Sequence, residues 1–183
     1  ITHLNGACID PSCMGSAIKI TFQSTAGLEN IFTTSTTRVN YGGKISGEAI
    51  PKLNNRPGYK FICWTLEGSD DCFSLDTAIT EDTIPEGKDA IVLESKWEQI
   101  EYTVTYHANF GEDETNDFTC HYYDATHSNN CKFLTYATTG LPSRENYTFL
   151  GWATSASGTT IYEPETEMAV ILEDKNVIKL PIY

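Results

Sequence analysis

Apolar and polar residues alternate with period two in several short runs, the mark of strands with one buried face. In Ala17-Ile18-Lys19-Ile20-Thr21-Phe22 the side chains of Ile18, Ile20 and Phe22 share a face. Tyr102-Thr103-Val104-Thr105-Tyr106 repeats that alternation. Thr33 to Thr37, followed by Val39, Tyr41 and the Gly42-Gly43 turn, has the β-branched and aromatic content of another strand. Tyr59 to Thr65 predicts an aromatic strand after the loop Pro51 to Gly58, and Gly68-Ser69-Asp70-Asp71 predicts the turn that follows it. Ala90 to Trp97 is apolar enough to be a central strand, and Val177 to Tyr183 closes the chain in the same manner. Pro181 cannot donate to a ladder, so that last strand is expected at an edge or a bulge. Asp76 to Glu86 is polar and fits a short helix or an irregular crossover.

The strands fall into two sets. Arg56-Pro57-Gly58-Tyr59-Lys60-Phe61-Ile62-Cys63-Trp64 and Arg144-Glu145-Asn146-Tyr147-Thr148-Phe149-Leu150-Gly151-Trp152 carry an arginine and three aromatics at one constant offset of 88. Val104 follows Ile20 by 84 positions and Tyr183 follows Trp97 by 86, so the duplication spans both sets with small loop insertions. One insertion holds Cys120 and Cys131. The organisation expected is a lead-in over residues 1–16, a first module over 17–98 and a second over 99–183, joined at Glu98 to Glu101. That link lacks glycine and proline, so limited bending is expected. Tyr59, Phe61 and Trp64, with Tyr147, Phe149 and Trp152, are expected to form the module cores, because small β units need large buried rings. The alternative is an exposed aromatic platform for sugars.

Composition narrows the setting. Twelve basic against 25 acidic residues give a formal charge of −13, which repels phosphate backbones and argues against nucleic acid as a partner. The apolar runs are too short to cross a membrane as helices. Six cysteines in three close pairs, Cys8/Cys13, Cys63/Cys72 and Cys120/Cys131, suggest nearest-neighbour disulfides made in an oxidising compartment. Each bond would add roughly 2–3 kcal/mol to a small module. Ile1-Thr2-His3-Leu4 has no basic region or apolar run, so a secreted form would be a mature or trimmed one.

A unit that opens on Tyr-Thr-Val-Thr-Tyr, continues through Tyr-x-Phe-x-x-Trp and closes on an apolar strand resembles the Listeria–Bacteroides repeat, also called the internalin B-repeat. The matching residues are Ile18 to Phe22, Gly58 to Trp64 and Ile91 to Trp97, then Tyr102 to Tyr106, Tyr147 to Trp152 and Val177 to Tyr183. The resemblance implies a mainly β or α+β fold of two tandem β-grasp-like modules. It also implies a bacterial, extracellular cell-surface protein in which the modules serve as stalk, adhesin or fibre-forming subunits. Cys63 departs from the family glycine before the tryptophan, Glu145-Asn146 departs from its glycine region, and disulfides are not typical of it. The family supplies no catalytic residues.

Candidate chemistry is sparse. Cys120, His121, His127 and Cys131 are zinc-ligand types, but adjacent ligands on a strand point to opposite faces, and a disulfide is the simpler reading. Glu112, Asp113 and Asp117 follow Gly111 and offer oxygens suited to Ca²⁺, without the spacing of an EF-hand. The default for that run is a solvated acidic turn, and no metal or cofactor is expected. Ser16-Ala17-Ile18-Lys19 has the form S-x-x-K but leads into a strand and lacks companion motifs. No hydrolase elbow, zincin or phosphate-loop motif occurs. Asn146-Tyr147-Thr148 has the form of a glycosylation sequon at an expected turn, and Leu180-Pro181 matches only two residues of a sortase signal. The function expected is therefore non-catalytic. Its partners would be a protein or glycan at the cell surface, or neighbouring copies through edge strands. The alternative is a carbohydrate-binding module, with Ca²⁺ assistance from the 112–117 loop.

Overall fold

The structure is a computed structural model that describes residues 3–4, 7–8, 17–122, 129–172 and 179–183. Residues 1–16, expected to be irregular, contain a short antiparallel ladder between β1 (His3–Leu4) and β2 (Ala7–Cys8). Cys13 lies outside the described residues, and with it the expected Cys8/Cys13 bond.

The chain divides into two compact units, residues 1–56 with 61–98 and residues 57–60 with 99–183. In the first, β3 (Ala17–Gln23) turns Ile18, Ile20 and Phe22 inward, as its alternation requires. It pairs antiparallel with β4 (Ser35–Asn40), placing Phe22 opposite Ser35. β5 (Tyr59–Leu66) and β6 (Ala90–Gln99) complete a sheet of order β4-β3-β6-β5. β6 is central and parallel to β3, with Phe22 opposite Leu93 and Gln23 opposite Glu94. The crossover between β5 and β6 holds a 3₁₀ turn at Glu81–Thr83, and a second such turn, Gly47–Ala49, lies between β4 and β5. β6 runs on through Glu98 and Gln99, where the sequence predicts a link, because both stay extended.

The second unit starts the same way. β7 (Glu101–His107) buries Tyr102, Val104 and Tyr106 and pairs antiparallel with β8 (Thr115–His121). Two single-turn helices follow, α1 (Tyr136–Thr139) and α2 (Ala169–Leu172). β9 (Lys179–Ile182) lies parallel to β7 on its other side, giving the order β8-β7-β9. Pro181 sits opposite Thr105 on this edge strand, where its missing N–H is tolerated. Within each unit a hairpin leads, and the last strand returns parallel to the first.

The register corrects one expected correspondence. Tyr106 lies opposite Ile182 as Phe22 lies opposite Leu93. The closing strands are therefore offset by 89 (182 against 93), not 86, and Tyr183 corresponds to Glu94 rather than to Trp97. Matching the two strands by their terminal aromatics misplaces them by three residues.

Each unit is built on a tryptophan. Trp64 takes edge contacts from Phe22 at 4.8 Å and Phe32 at 5.2 Å. Trp152 takes one from Tyr106, the counterpart of Phe22, at 4.7 Å, and its Nε1 donates to the Leu134 carbonyl at 2.7 Å. Both indoles are buried.

Two disulfides are present among the described residues. Cys63–Cys72 closes a nine-residue separation beside Trp64, where the Phe73 N–H donates to the Trp64 carbonyl. In the second unit the Tyr162 N–H donates to the Trp152 carbonyl in the same way. That sets Gly151 and Ile161 at the places of Cys63 and Cys72. Gly151 has φ +148°, and a Cβ there would lie 2.3 Å from Ile161 Cγ2 and 2.9 Å from the Tyr162 carbonyl oxygen. Close approach of two chain segments is thus held by a bond in one unit and by a bare glycine in the other. The second bond, Cys120–Cys131, is buried in the core of the second unit.

Gly151→Ala should therefore destabilise the second unit by about 1–3 kcal/mol through overpacking and a disfavoured backbone angle. Reducing Cys63–Cys72 should cost the first unit about 2–3 kcal/mol. Denaturant unfolding with and without reductant, followed unit by unit by NMR, checks both.

Candidate functional site

A groove of about 360 Å³ opens in the second unit, lined by residues 107–110, 147–153, Tyr136, Arg144 and Tyr183 among others. Local sequence builds each wall. Thr135 caps α1 by accepting from the Thr138 N–H, and Gly140 ends it at φ 68°. This single turn sets Tyr136 parallel to Trp152 at 5.7 Å and against Phe149 at 4.9 Å. The Tyr136 hydroxyl donates to the Pro142 carbonyl at 2.6 Å, and burial pushes its pKa up.

The opposite wall comes from the β7–β8 turn. Asp113 and Asn109 both adopt left-handed backbone, with φ 52° and 58°. The Asp113 carboxylate accepts from the Asn109 N–H at 2.7 Å and from His107 Nδ1 at 2.8 Å. Those two hydrogen bonds, that from His107 the stronger, hold the Asp113 carboxyl below its ordinary 3.8. His107 in turn stacks on Tyr183 at 4.3 Å. A His–Asp pair beside a groove invites comparison with a hydrolytic triad. Among the described residues, however, no serine, threonine or cysteine is hydrogen-bonded to His107.

The other expected site residues are placed as follows. Trp64 and Trp152 are buried, and Phe61 is half-buried against the first core. Tyr59 is half-buried and stands outside that core. Tyr147 is 65 % exposed, Phe149 37 % and Leu150 80 %, so Tyr147 and Phe149 are not core residues. In the first unit Trp97 of β6 packs on Phe61 at 5.5 Å, and the second unit has no strand in that position among the described residues. The Arg144 guanidinium instead lies over the Tyr147 ring at 3.6 Å. Asn146 has φ 63°, consistent with the tight turn expected there.

Asp117 stands on β8 and accepts from the Thr105 hydroxyl at 2.6 Å, while Glu112 is exposed in the turn. Among the described residues no three His, Cys, Asp or Glu side chains gather as a metal site. Cys120 and Cys131 are bonded to each other, which removes both thiolates from a zinc set, and His127 lies outside the described residues. Nothing in the sequence reading points to the groove, which is assembled from segments far apart in the chain.

Deeper in the unit, burial pushes the Tyr106 hydroxyl up to about 12; it accepts from the Leu134 N–H at 3.0 Å and donates to the Lys132 carbonyl at 3.3 Å. Its contribution to stability is complete below the ordinary phenol value and fades as pH rises through about 12. Ultraviolet titration should show one tyrosine ionising only near that pH, together with loss of the second unit's fold. Asp113 works at the other end of the scale. Its contribution is present above its ordinary value and disappears as pH falls through its lowered one. Asp113→Asn should therefore lower the denaturant midpoint at pH 7, and the gap from wild type should close below about pH 4.

Comparison with known proteins adds one match. No curated protein and no solved structure matches the chain. The family model of the Listeria-Bacteroides repeat domain matches residues 102–177, within the second unit, and matches one copy rather than two.

Proposed function

We propose that residues 17–183 are two tandem β-grasp-like repeats of a bacterial cell-surface protein, preceded by the lead-in 1–16. They act outside the cell as a stalk or adhesive segment and not as an enzyme. The observation that carries this reading is the three-strand order common to both units, β4-β3-β6 and β8-β7-β9, each packed over a tryptophan, with the family match on one of them. Two disulfides support an oxidising compartment. Among the described residues no helix is long and apolar enough to cross a membrane. The mechanism is mechanical and interfacial: folded modules hold a binding surface away from the cell.

Antibody labelling of intact and permeabilised source cells, paired with an attachment assay on a deletion strain, tests this. Labelling without permeabilisation and reduced attachment are expected. Labelling only after permeabilisation contradicts the reading.

One observation favours a second reading, carbohydrate binding: Tyr147 and Phe149 are exposed beside Trp152. Tryptophan fluorescence across a glycan panel, with and without chelator, separates the two. Quenching by a defined sugar supports binding, and chelator sensitivity would bring in Ca²⁺. A flat response leaves the stalk.

A further inference from the structure

We infer that the Cys63–Cys72 bond is a site of thiol–disulfide exchange, where a neutral or cationic thiol joins Cys72 as a mixed disulfide and releases Cys63. The inference goes beyond the stalk or adhesive reading and gives the first unit a reversible covalent attachment point.

The two described disulfides differ in what surrounds them. Cys120 and Cys131 belong to the core of the second unit, at 9 % and 1 % exposure. Cys72 is exposed after the turn that follows β5, whereas Cys63, on β5 beside the buried Trp64, is half-buried. Exchange requires a thiolate to reach one sulfur of the bond, so access selects first the bond and then the sulfur. A thiolate RS⁻ attacks Cys72 Sγ. An RS–Sγ bond forms at Cys72, the Sγ–Sγ bond breaks, and its electron pair leaves on Cys63 Sγ, which takes a proton from water. One thiol and one disulfide give one thiol and one disulfide, so nothing is oxidised overall. In the reverse step the Cys63 thiolate attacks Cys72 Sγ and expels RS⁻.

The first unit keeps its fold when this bond opens, because hydrogen bonds hold the turn on their own. The Ser69 N–H donates to the Leu66 carbonyl at 2.9 Å and the Phe73 N–H to the Trp64 carbonyl at 2.7 Å. Lys96 Nζ donates to the Asp70 carbonyl at 2.6 Å, which ties the tip of the turn to β6. The second unit brings the equivalent segments together without sulfur. There Gly151 and Ile161 stand at the places of Cys63 and Cys72, and Trp152 and Tyr162 exchange backbone hydrogen bonds of 2.9 and 2.8 Å. Cys63 thus stays beside Cys72 after its release and can close the bond again. Charge selects the thiol. Asp70 and Asp71 directly precede Cys72, Glu67 lies in the same turn, and all three are exposed, with Lys96 bound to the turn. The resulting negative field, in a chain of charge −13, repels an anionic thiol and admits a neutral or cationic one.

The full chain is exposed briefly to cysteamine, whose amine is cationic, to neutral mercaptoethanol and to anionic glutathione, at equal thiolate concentrations. Alkylation and peptide mapping by mass spectrometry then follow each cysteine separately. Cys63–Cys72 should open about tenfold or more faster than Cys120–Cys131, with the adduct on Cys72 and the alkyl label on Cys63. Cysteamine should react roughly threefold or more faster than glutathione at low salt, and added salt should narrow that gap. Replacing both Asp70→Asn and Asp71→Asn should narrow it too, since neither change touches the backbone hydrogen bonds of the turn. The Trp64 ring signals in NMR should stay native in the adduct, and removal of free thiol should restore the original bond. An adduct on Cys63 overturns the proposal, as do equal opening rates for the two bonds. Glutathione reacting as fast as cysteamine, or loss of the native Trp64 signals on opening, overturns it as well. Every reading is made on the purified chain, so failure here leaves the surface reading standing.

Discussion

Each unit depends on the edge contact between one buried tryptophan and the ring that the first strand turns inward. Phe22 meets Trp64 at 4.8 Å and Tyr106 meets Trp152 at 4.7 Å. A unit of this size buries little surface, so one large ring accounts for much of its core. The strands, disulfides and glycines are arranged around that contact. The Cys63–Cys72 bond and the Gly151–Ile161 approach both hold the segment that delivers the tryptophan.

Around this shared centre the two units differ in what covers the aromatic segment. Phe61 is sheltered by Trp97 from β6, whereas Phe149 is open to solvent and leans on Tyr136 and Trp152. The same arginine changes role as a result. Arg56 faces Trp97, while Arg144 turns onto Tyr147. A motif with one pattern thus yields a strand in the first unit and an exposed irregular segment in the second. Among the described residues the first segment has β6 beside it and the second has no strand there.

That contrast explains what was legible in the sequence. Ile18, Ile20 and Phe22, then Tyr102, Val104 and Tyr106, announce their strands by alternation alone, because one face of each is buried. The pairing of Cys63 with Cys72 and of Cys120 with Cys131 follows from short separations. Burial of Tyr147 and Phe149 did not follow, since it requires a neighbour that lies far away in the chain. The closing-strand offset was misread for a related reason: Tyr183 and Trp97 are alike as residues but occupy different places in the ladder. The sequence around Asp113 predicts a solvated acidic loop, and its left-handed backbone and bond to His107 emerge only in three dimensions.

Amide hydrogen exchange most directly tests the claim that the two units share one plan and differ in what covers the aromatic segment. The account predicts protection for the β5 amides that face β6 and for both tryptophan-bearing cores. It predicts rapid exchange at Thr148–Gly151, as for an open edge. Equal protection of the two aromatic segments would contradict it, because residues 148–151 would then have a ladder partner.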